Sequence, residues 1–155
     1  MQRPFFSNIL EDGYAYAIGY DARYRMVVAH AKLPLHPAEY SAFNEATLQA
    51  LVHYDTYRLL RDVRNNGLVS QENQERMVQD WIPRLLALPM ERIIHLVAED
   101  AFNQFAFASV QERLQDAPHL AERLATVLAL TSTNLQAGYA YLNKEIQDHP
   151  VLAQA

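Results

Sequence analysis

The sequence contains no cysteine among its 155 residues. A disulfide framework, a thiolate zinc site and a cysteine nucleophile are therefore excluded. Glycine is scarce as well, with four residues, and no glycine-rich phosphate loop is present. We therefore expect a protein that binds no cofactor.

The chain has no surplus of basic residues. Its formal net charge is -5 and its isoelectric point is near 5.6. Proteins that bind nucleic acid usually carry a basic surplus that contacts phosphates. The composition thus predicts no nucleic-acid partner. The basic residues are eleven arginines and only Lys32 and Lys144. An arginine-rich surface suits contacts with protein or carboxylate partners, although drift in composition explains it equally well.

Long uncharged runs are missing too. No window reaches the roughly 18 residues of a membrane span, and the N-terminus has no apolar stretch of signal-peptide length. The sequence predicts a cytoplasmic protein without membrane insertion. Half of the residues are apolar, which at this length suits one core. We expect one domain over 1–155, with its core at about 8–147 and a loosely held tail at 148–155.

The first half of the chain predicts a hairpin followed by a helix. Aromatic and β-branched runs at 14–20 and 23–31 flank Asp21 and Ala22, which suits two antiparallel strands with a tight connection. Pro37 fits the first position of a helix. Apolar residues then recur every three or four positions, predicting a helix to about His53.

The second half predicts alternating strands and helices. Strands are expected at 56–63 and 92–100, and Ser70 is expected to cap a helix that Pro83 kinks or splits. Asp100 can cap the next helix, whose core stripe is Phe102, Phe105, Ala106 and Val110. Phe107 extends its aromatic set over more than one face. An exposed ring there would suit a subunit contact in a homodimer or the lining of an apolar pocket, although packing against the Trp81 helix is the simpler interpretation.

Residues 119–133 fit either a helix or a strand by periodicity. A strand would extend the alternation, with a last helix beginning near residue 134, and we adopt it. The fold class expected is α/β: a single-domain mixed sheet of about five strands, with an N-terminal hairpin, then alternating helices and strands.

Several motifs together resemble the SpoIIAA-like superfamily, which includes STAS domains and CRAL-TRIO lipid-transfer domains, and in particular its small stand-alone bacterial members. They are "YD" at Tyr20 and Asp21, "LLRDVRNNG" from Leu59, "WIPRL" from Trp81, "RIIHLVAED" from Arg92 and "LALTSTNLQAGYAYL" from Leu128. The resemblance implies a regulatory or protein-interaction module. On its CRAL-TRIO side it implies a small-molecule or lipid binder, with an apolar cavity lined by Trp81 and the Phe102 helix.

STAS domains carry a phosphorylatable Ser or Thr at the start of the helix after the central strand. Here Asp62 matches the strand acid, Ser70 falls where a second Asp is expected, and Gln71 stands at the phosphoacceptor position. The chain thus departs from the STAS pattern. An ordinary helix cap is the simpler interpretation of Ser70.

The carboxyl ends of parallel strands meet at one edge of a sheet, where ligands of open α/β folds bind. This rule predicts a binding cleft, with further polar groups at Glu99, Ser132 and Thr133. Acids there could hold Mg²⁺, but they more often cap helices or pair with arginine, as Asp62 could with Arg61 or Arg64. The predicted cleft residues are Asp62, Arg64, Asn65, Asn66, Ser70, Asp100 and Asn134.

Catalytic and metal-binding patterns are weak. The six histidines lack HxH or HxxxH spacing, and His95 within "IIHLV" fits a strand residue better than a ligand. No GxSxG motif is present, and no serine has an identifiable base. We therefore predict a non-enzymatic interaction module with a protein partner. A small apolar ligand and, with less support, an enzyme using the strand-end acids remain alternatives.

Overall fold

The computed structural model describes residues 2–99 and 108–148. Within them the chain forms one mixed sheet of six strands, in the spatial order β1-β2-β3-β4-β5-β6. The first three strands pair antiparallel, and β3 to β6 run parallel. The strands are β1 Asn8–Asp12, β2 Tyr16–Asp21, β3 Met26–Ala31, β4 Arg58–Asp62, β5 Arg92–Leu96 and β6 Leu128–Ser132.

Helices connect the parallel strands and cover the sheet. They are α1 Pro37–His53, α2 Gln71–Arg76, α3 Ile82–Ala87, α4 Pro118–Val127 and α5 Leu135–Asp148, with a π-helix at Met77–Trp81 and a 3₁₀ turn at Leu114–Asp116. Residues 108–113 are also helical. The predicted α/β class, with its antiparallel start and alternating helices and strands, is confirmed. No helix in the described ranges is both long and apolar enough to cross a membrane.

The predicted hairpin is present as β2 and β3, which pair from Tyr16 opposite Ala31 to Asp21 opposite Met26. Its connection is longer than predicted, because residues 22–25 form the turn. Arg25 adopts a positive φ of 51° there. A left-handed residue at the end of such a loop is a common way to close a hairpin.

The sequence prediction missed β1. This edge strand pairs with β2, and the register shifts between Ile9 and Glu11, which makes Leu10 an extra residue. All five β1 residues are exposed, so the strand lacks the alternation of apolar and polar residues on which strand prediction depends. The bulge and the adjacent acids, Glu11 and Asp12, are features that discourage edge-to-edge pairing with other chains.

Helix α1 begins at Pro37 and ends at His53, as predicted. His36 is its N-cap, and its ring nitrogen accepts a hydrogen bond from the Ala38 N–H. Glu39 completes a capping box by accepting from the His36 N–H at 2.9 Å. These bonds satisfy backbone donors that a helix start leaves open.

The helix predicted from Ser70 is divided in the middle, as Pro83 suggested. Ser70 caps α2 by accepting from the Asn73 N–H at 3.1 Å. The π-helix then joins α2 to α3, and Pro83 lies in the first turn of α3. Proline has no N–H to donate to the preceding turn, so the wider π turn next to it accommodates the missing hydrogen bond.

Residues 118–132 contain both a helix and a strand, the two structures between which the sequence pattern could not decide. The adopted strand is present as β6, but α4 immediately precedes it and was missed. A ten-residue helix followed directly by a five-residue strand presents one continuous apolar pattern. Periodicity could therefore fit either structure.

The two sides of the sheet carry separate cores. The side containing Leu59 and Ile93 packs against α1, α3 and α4, and we call it the cavity face. The side containing Leu60 and Ile94 packs against α5, and we call it the paired face. On the paired face α5 lies close, since a Cβ added at Gly138 would stand 3.3 Å from Cγ2 of Ile94.

Some predictions fall on residues outside the described ranges. They are the capping and cleft roles of Asp100, the core-stripe residues Phe102, Phe105 and Ala106, the aromatic position Phe107, and the end of the tail beyond Asp148. Val110 is described and is half-buried.

Candidate functional site

Asp62 ends β4 on the paired face and is fully buried. Its carboxylate accepts hydrogen bonds from Arg64 Nε at 2.8 Å and from the terminal nitrogen of Arg64 at 2.9 Å. His30 lies opposite Asp62 in the β3–β4 register, with its Nδ1 2.9 Å from the same carboxylate. Of the two predicted arginine partners, Arg64 is the one that pairs.

Burial by itself would raise the pKa of Asp62, because it disfavours the charged form. The hydrogen bonds from His30 and Arg64, together with the charge of Arg64, outweigh that effect, so the pKa of Asp62 lies below its usual value. The carboxylate is therefore ionised and internally compensated. Arg64 also donates to the backbone carbonyl of Gln2 at 2.8 Å, so the N-terminal segment covers this corner.

The remaining predicted cleft residues have separate local contacts. Asn66 is buried and accepts from the Leu35 N–H, Asn65 is half-buried, and Ser70 caps α2. Asn134 is exposed, and its side chain accepts from the Gln136 N–H at 2.7 Å at the start of α5. The structure thus brings Asp62 and Arg64 into direct contact but gives the other described residues different partners. The binding role of the set stays a prediction.

A cavity of about 110 Å³ lies on the cavity face, between the sheet and the helices that cover it. Most of its lining is apolar and comes from β4, β5, β6, the π-helix, α3 and α4. Met77, Ile82 and Leu85 contribute from the divided helix. Among the described residues, its polar lining is Tyr40, Arg61, Asn66, Gln74, His95 and Gln111.

Trp81, which the sequence suggested as a cavity residue, is not in this lining. Its ring packs edge-on against Tyr40, with centroids 5.9 Å apart, and its Nε1 donates to Glu45 at 3.1 Å. The side chains that do line the cavity lie on either side of Trp81 along the helix. The π turn sets which side chains face the sheet here.

Arg61 is the cationic group of the cavity lining. It donates to the Asn44 side-chain carbonyl at 2.7 Å and to the Tyr40 hydroxyl at 3.1 Å. Its guanidinium carbon lies 5.1 Å from the centre of the Phe43 ring and 5.7 Å from that of Tyr40. These neutral contacts orient the guanidinium without neutralising its charge.

His95 lies next to Arg61, because the two residues are partners in the parallel β4–β5 register. Burial and, to a smaller extent, the positive charge of Arg61 lower the pKa of His95 to about 3, against the opposing effect of the Asp62 charge. The imidazole is therefore neutral near pH 7. Among the described residues of the lining, Arg61 is therefore the one that carries a charge.

Sequence reasoning did not select Arg61 or His95 as site residues. A signal was available, since side chains on a strand alternate between the two faces. Arg61 has the same parity as Leu59, and His95 has the same parity as Ile93, so both polar residues point toward a face that is otherwise apolar. The strand at 92–100 was predicted as buried on both faces. A polar residue at a buried strand position is more informative than one at a strand end.

Among the described residues, the ionisable groups of the cavity lining are Tyr40, Arg61 and His95. The described lining contains no serine, threonine, lysine or carboxylate side chain that could act as nucleophile or acid. Within the described ranges, no cluster of three histidine, aspartate or glutamate residues could hold a metal ion.

Comparisons with known proteins leave the chain without a matched relative. No protein-family model matches it, and neither the curated proteins nor the solved structures contain a significant match.

Proposed function

We propose that this protein is a non-catalytic binding domain that holds a small, largely apolar molecule in the cavity beside β4 and β5. The observation that carries the proposal is the cavity itself, with its apolar lining and few polar groups. Ligand sites in proteins commonly combine these features. Protein interiors are otherwise close-packed, with few voids larger than a water molecule.

The cavity volume limits the size of the ligand. An engineered cavity of roughly 150 Å³ takes up benzene, whereas pockets for drug-sized ligands span roughly 300–1,000 Å³. At about 110 Å³, this cavity suits one small ring or a short chain. The volume thus favours a small molecule over a lipid with long acyl chains.

We further propose that the domain is related to the SpoIIAA-like domains. Support comes from the motifs in "LLRDVRNNG" and "RIIHLVAED" and from the antiparallel start followed by alternating helices and parallel strands. Likeness of fold alone does not imply a shared activity. Gln71 stands where STAS domains carry the phosphoacceptor, so phosphorylation is not part of this proposal.

A toluene titration followed by two-dimensional amide NMR tests the binding function. Toluene fits the volume and carries no charge, so we expect saturable shifts at Ile93 and Val97, which line the cavity. The Leu85→Phe variant fills the cavity and is expected to abolish these shifts. Leu86→Phe is the matched control, because Leu86 is half-buried on the same helix but outside the lining.

Absence of toluene shifts in the wild type at millimolar concentration would contradict the proposed function. Equal shifts in Leu85→Phe and wild type would place the bound molecule elsewhere and would contradict it too. Native mass spectrometry of protein purified from cell extract gives an independent measure, and we expect a low-mass adduct beside the bare polypeptide.

A second candidate function is docking of a protein partner on the loop after β4, and one observation favours it. Leu68 in this loop is 64% exposed. Val52 on α1 is exposed to the same fraction and provides a matched control. If the loop docks a partner or a second copy, Leu68→Ser should weaken partner capture or dimerisation in light scattering, whereas Val52→Ser should not. Equal behaviour of both variants would remove this candidate.

A further inference from the structure

We propose that the cavity selects a monocarboxylate: a molecule whose single carboxylate pairs with Arg61 while a compact apolar body fills the remaining space. This inference rests on the proposed binding function and names the chemical class of its ligand. It is carried by the charge of Arg61, which no acid of the described residues compensates, by the absence of an acid in the described lining, and by the cavity volume.

The buried arginines of the paired face all have carboxylate partners. Arg58 pairs with Glu145, and Arg64 pairs with Asp62. Arg61 differs, because no carboxylate of residues 2–99 or 108–148 lies within ion-pair distance of it. A partly buried charge to which the described residues offer no counterion is destabilised by the loss of water, and a bound anion would supply a partner.

The guanidinium is held ready for such an anion. It has five N–H donors, of which two have acceptors in Asn44 and Tyr40. The rings of Tyr40 and Phe43 lie beside it, with their centres 5.7 Å and 5.1 Å from the guanidinium carbon. A planar guanidinium matches the two oxygens of a carboxylate, so one ligand group can accept two parallel hydrogen bonds.

Tyr40 provides a second donor at the same place. Its hydroxyl oxygen accepts from Arg61, so its own O–H is directed elsewhere, and the described residues offer it no acceptor. Both side chains line the cavity. A carboxylate bound to Arg61 can therefore also accept from the Tyr40 hydroxyl.

The charge balance favours a carboxylate over a phosphate. The described lining offers one positive charge, from Arg61, because the neighbouring His95 is neutral near pH 7. A phosphate monoester carries close to two negative charges at this pH, and the second would be buried without a partner. A single carboxylate matches the cation one to one.

Calorimetric titration of the full chain with benzoate, benzamide and phenyl phosphate tests the inference at pH 7. Benzoate and benzamide have nearly the same shape but differ in charge. We expect benzoate to bind at least about tenfold more tightly than benzamide, since charge-assisted bonds are roughly twice as strong as neutral ones. Phenyl phosphate should bind more weakly than benzoate.

Two variants test whether Arg61 causes the difference in affinity between benzoate and benzamide. Arg61→Met keeps most of the side-chain volume and should reduce benzoate affinity about tenfold while leaving benzamide affinity nearly unchanged. Arg61→Lys keeps the charge without the planar group and should fall between. Arg76→Met is the control, because Arg76 lies over the Trp81 ring at 4.5 Å but does not line the cavity.

The outcomes separate this inference from the binding function on which it rests. Equal affinity for benzoate and benzamide, or phenyl phosphate binding as tightly as benzoate, would overturn the monocarboxylate while leaving a binding cavity. Benzoate affinity unchanged in Arg61→Met would overturn it as well. Failure of all three probes, together with toluene, would overturn both. If Arg61→Met does not fold, the wild-type comparison and Arg61→Lys still decide.

Discussion

The two faces of the sheet treat buried charge in opposite ways. On the paired face, Glu145 receives hydrogen bonds from Arg58 and Arg92, and Asp62 receives them from Arg64. On the cavity face, Arg61 contacts neutral groups and lies beside a void. Arg61 and Asp62 are neighbours in the chain, yet they point to different faces and have different partners.

This contrast separates charges that stabilise the fold from a charge available for binding. A buried ion pair compensates its own desolvation when its hydrogen bonds are satisfied, as they are around Glu145 and Asp62. Arg61 lacks such compensation among the described residues. The ion pairs of the paired face therefore stabilise the fold, whereas the charge of Arg61 on the cavity face is available to a ligand.

The largest expected effect comes from breaking an ion pair on the paired face. In Glu145→Ala, the buried Arg58 guanidinium would lose its carboxylate partner, and we expect a loss of about 3–5 kcal/mol in the free energy of unfolding. Urea denaturation measures it. Asp12→Ala breaks the exposed pair with Lys32 and should change stability far less, because solvent screens exposed charges. Similar losses in both variants would contradict the contrast.

A second prediction compares packing on the two faces. Leu142 is fully buried on the paired face, and Leu142→Ala should reduce stability by about 3 kcal/mol. Leu85 is half-buried and borders the existing cavity, so Leu85→Ala removes fewer contacts and should reduce stability by about 1 kcal/mol. Thermal and urea unfolding measure both. An equal loss would mean that the cavity face is as tightly packed as the other.

A third prediction concerns pH. Burial lowers the pKa of His95 to about 3 in the folded protein, so between pH 6.5 and pH 3 the unfolded chain holds a proton there that the folded chain does not. Its contribution to stability is complete above pH 6.5 and is lost as the pH falls. The slope should approach about 1.4 kcal/mol per pH unit. In His95→Gln this slope should be absent.

The measurement is the free energy of unfolding from pH 7 down to pH 4.5, in wild type and in His95→Gln. The carboxylates of Asp62 and Glu145 have lowered pKa values, because hydrogen bonds from basic side chains outweigh the effect of their burial. Their contributions are therefore lost only at lower pH. Parallel curves for the two proteins over this window would refute the assignment to His95.

Much of the fold could be predicted because local signals agreed with tertiary packing. Pro37 and the spacing of apolar residues defined α1 at both ends, and the run around Ile94 indicated a buried strand. The edge strand β1 escaped notice because it buries none of its residues. This strand is held by backbone pairing with β2, and backbone pairing depends little on residue type.

The candidate site was harder to predict than the fold. Strand ends pointed to Asp62, and strand parity could have chosen Arg64 over Arg61 as its partner, since residues two apart share a face. The cavity beside Arg61 and His95 depends on which strands are neighbours, how they are registered and where the helices above them lie. None of these three relations can be deduced from short stretches of the sequence.

The π-helix at Met77–Trp81 has a further consequence for how this chain tolerates insertions and deletions. A π turn accommodates one residue more than the α-helix around it, and each residue of an α-helix advances the side chains by about 100°. Deleting Gln79 would remove the extra residue and leave a continuous α-helix whose later residues keep nearly the same rotation about its axis. Ile82 and Leu85 would still face the sheet, so a single-codon deletion at this point would leave the walls of the cavity in place.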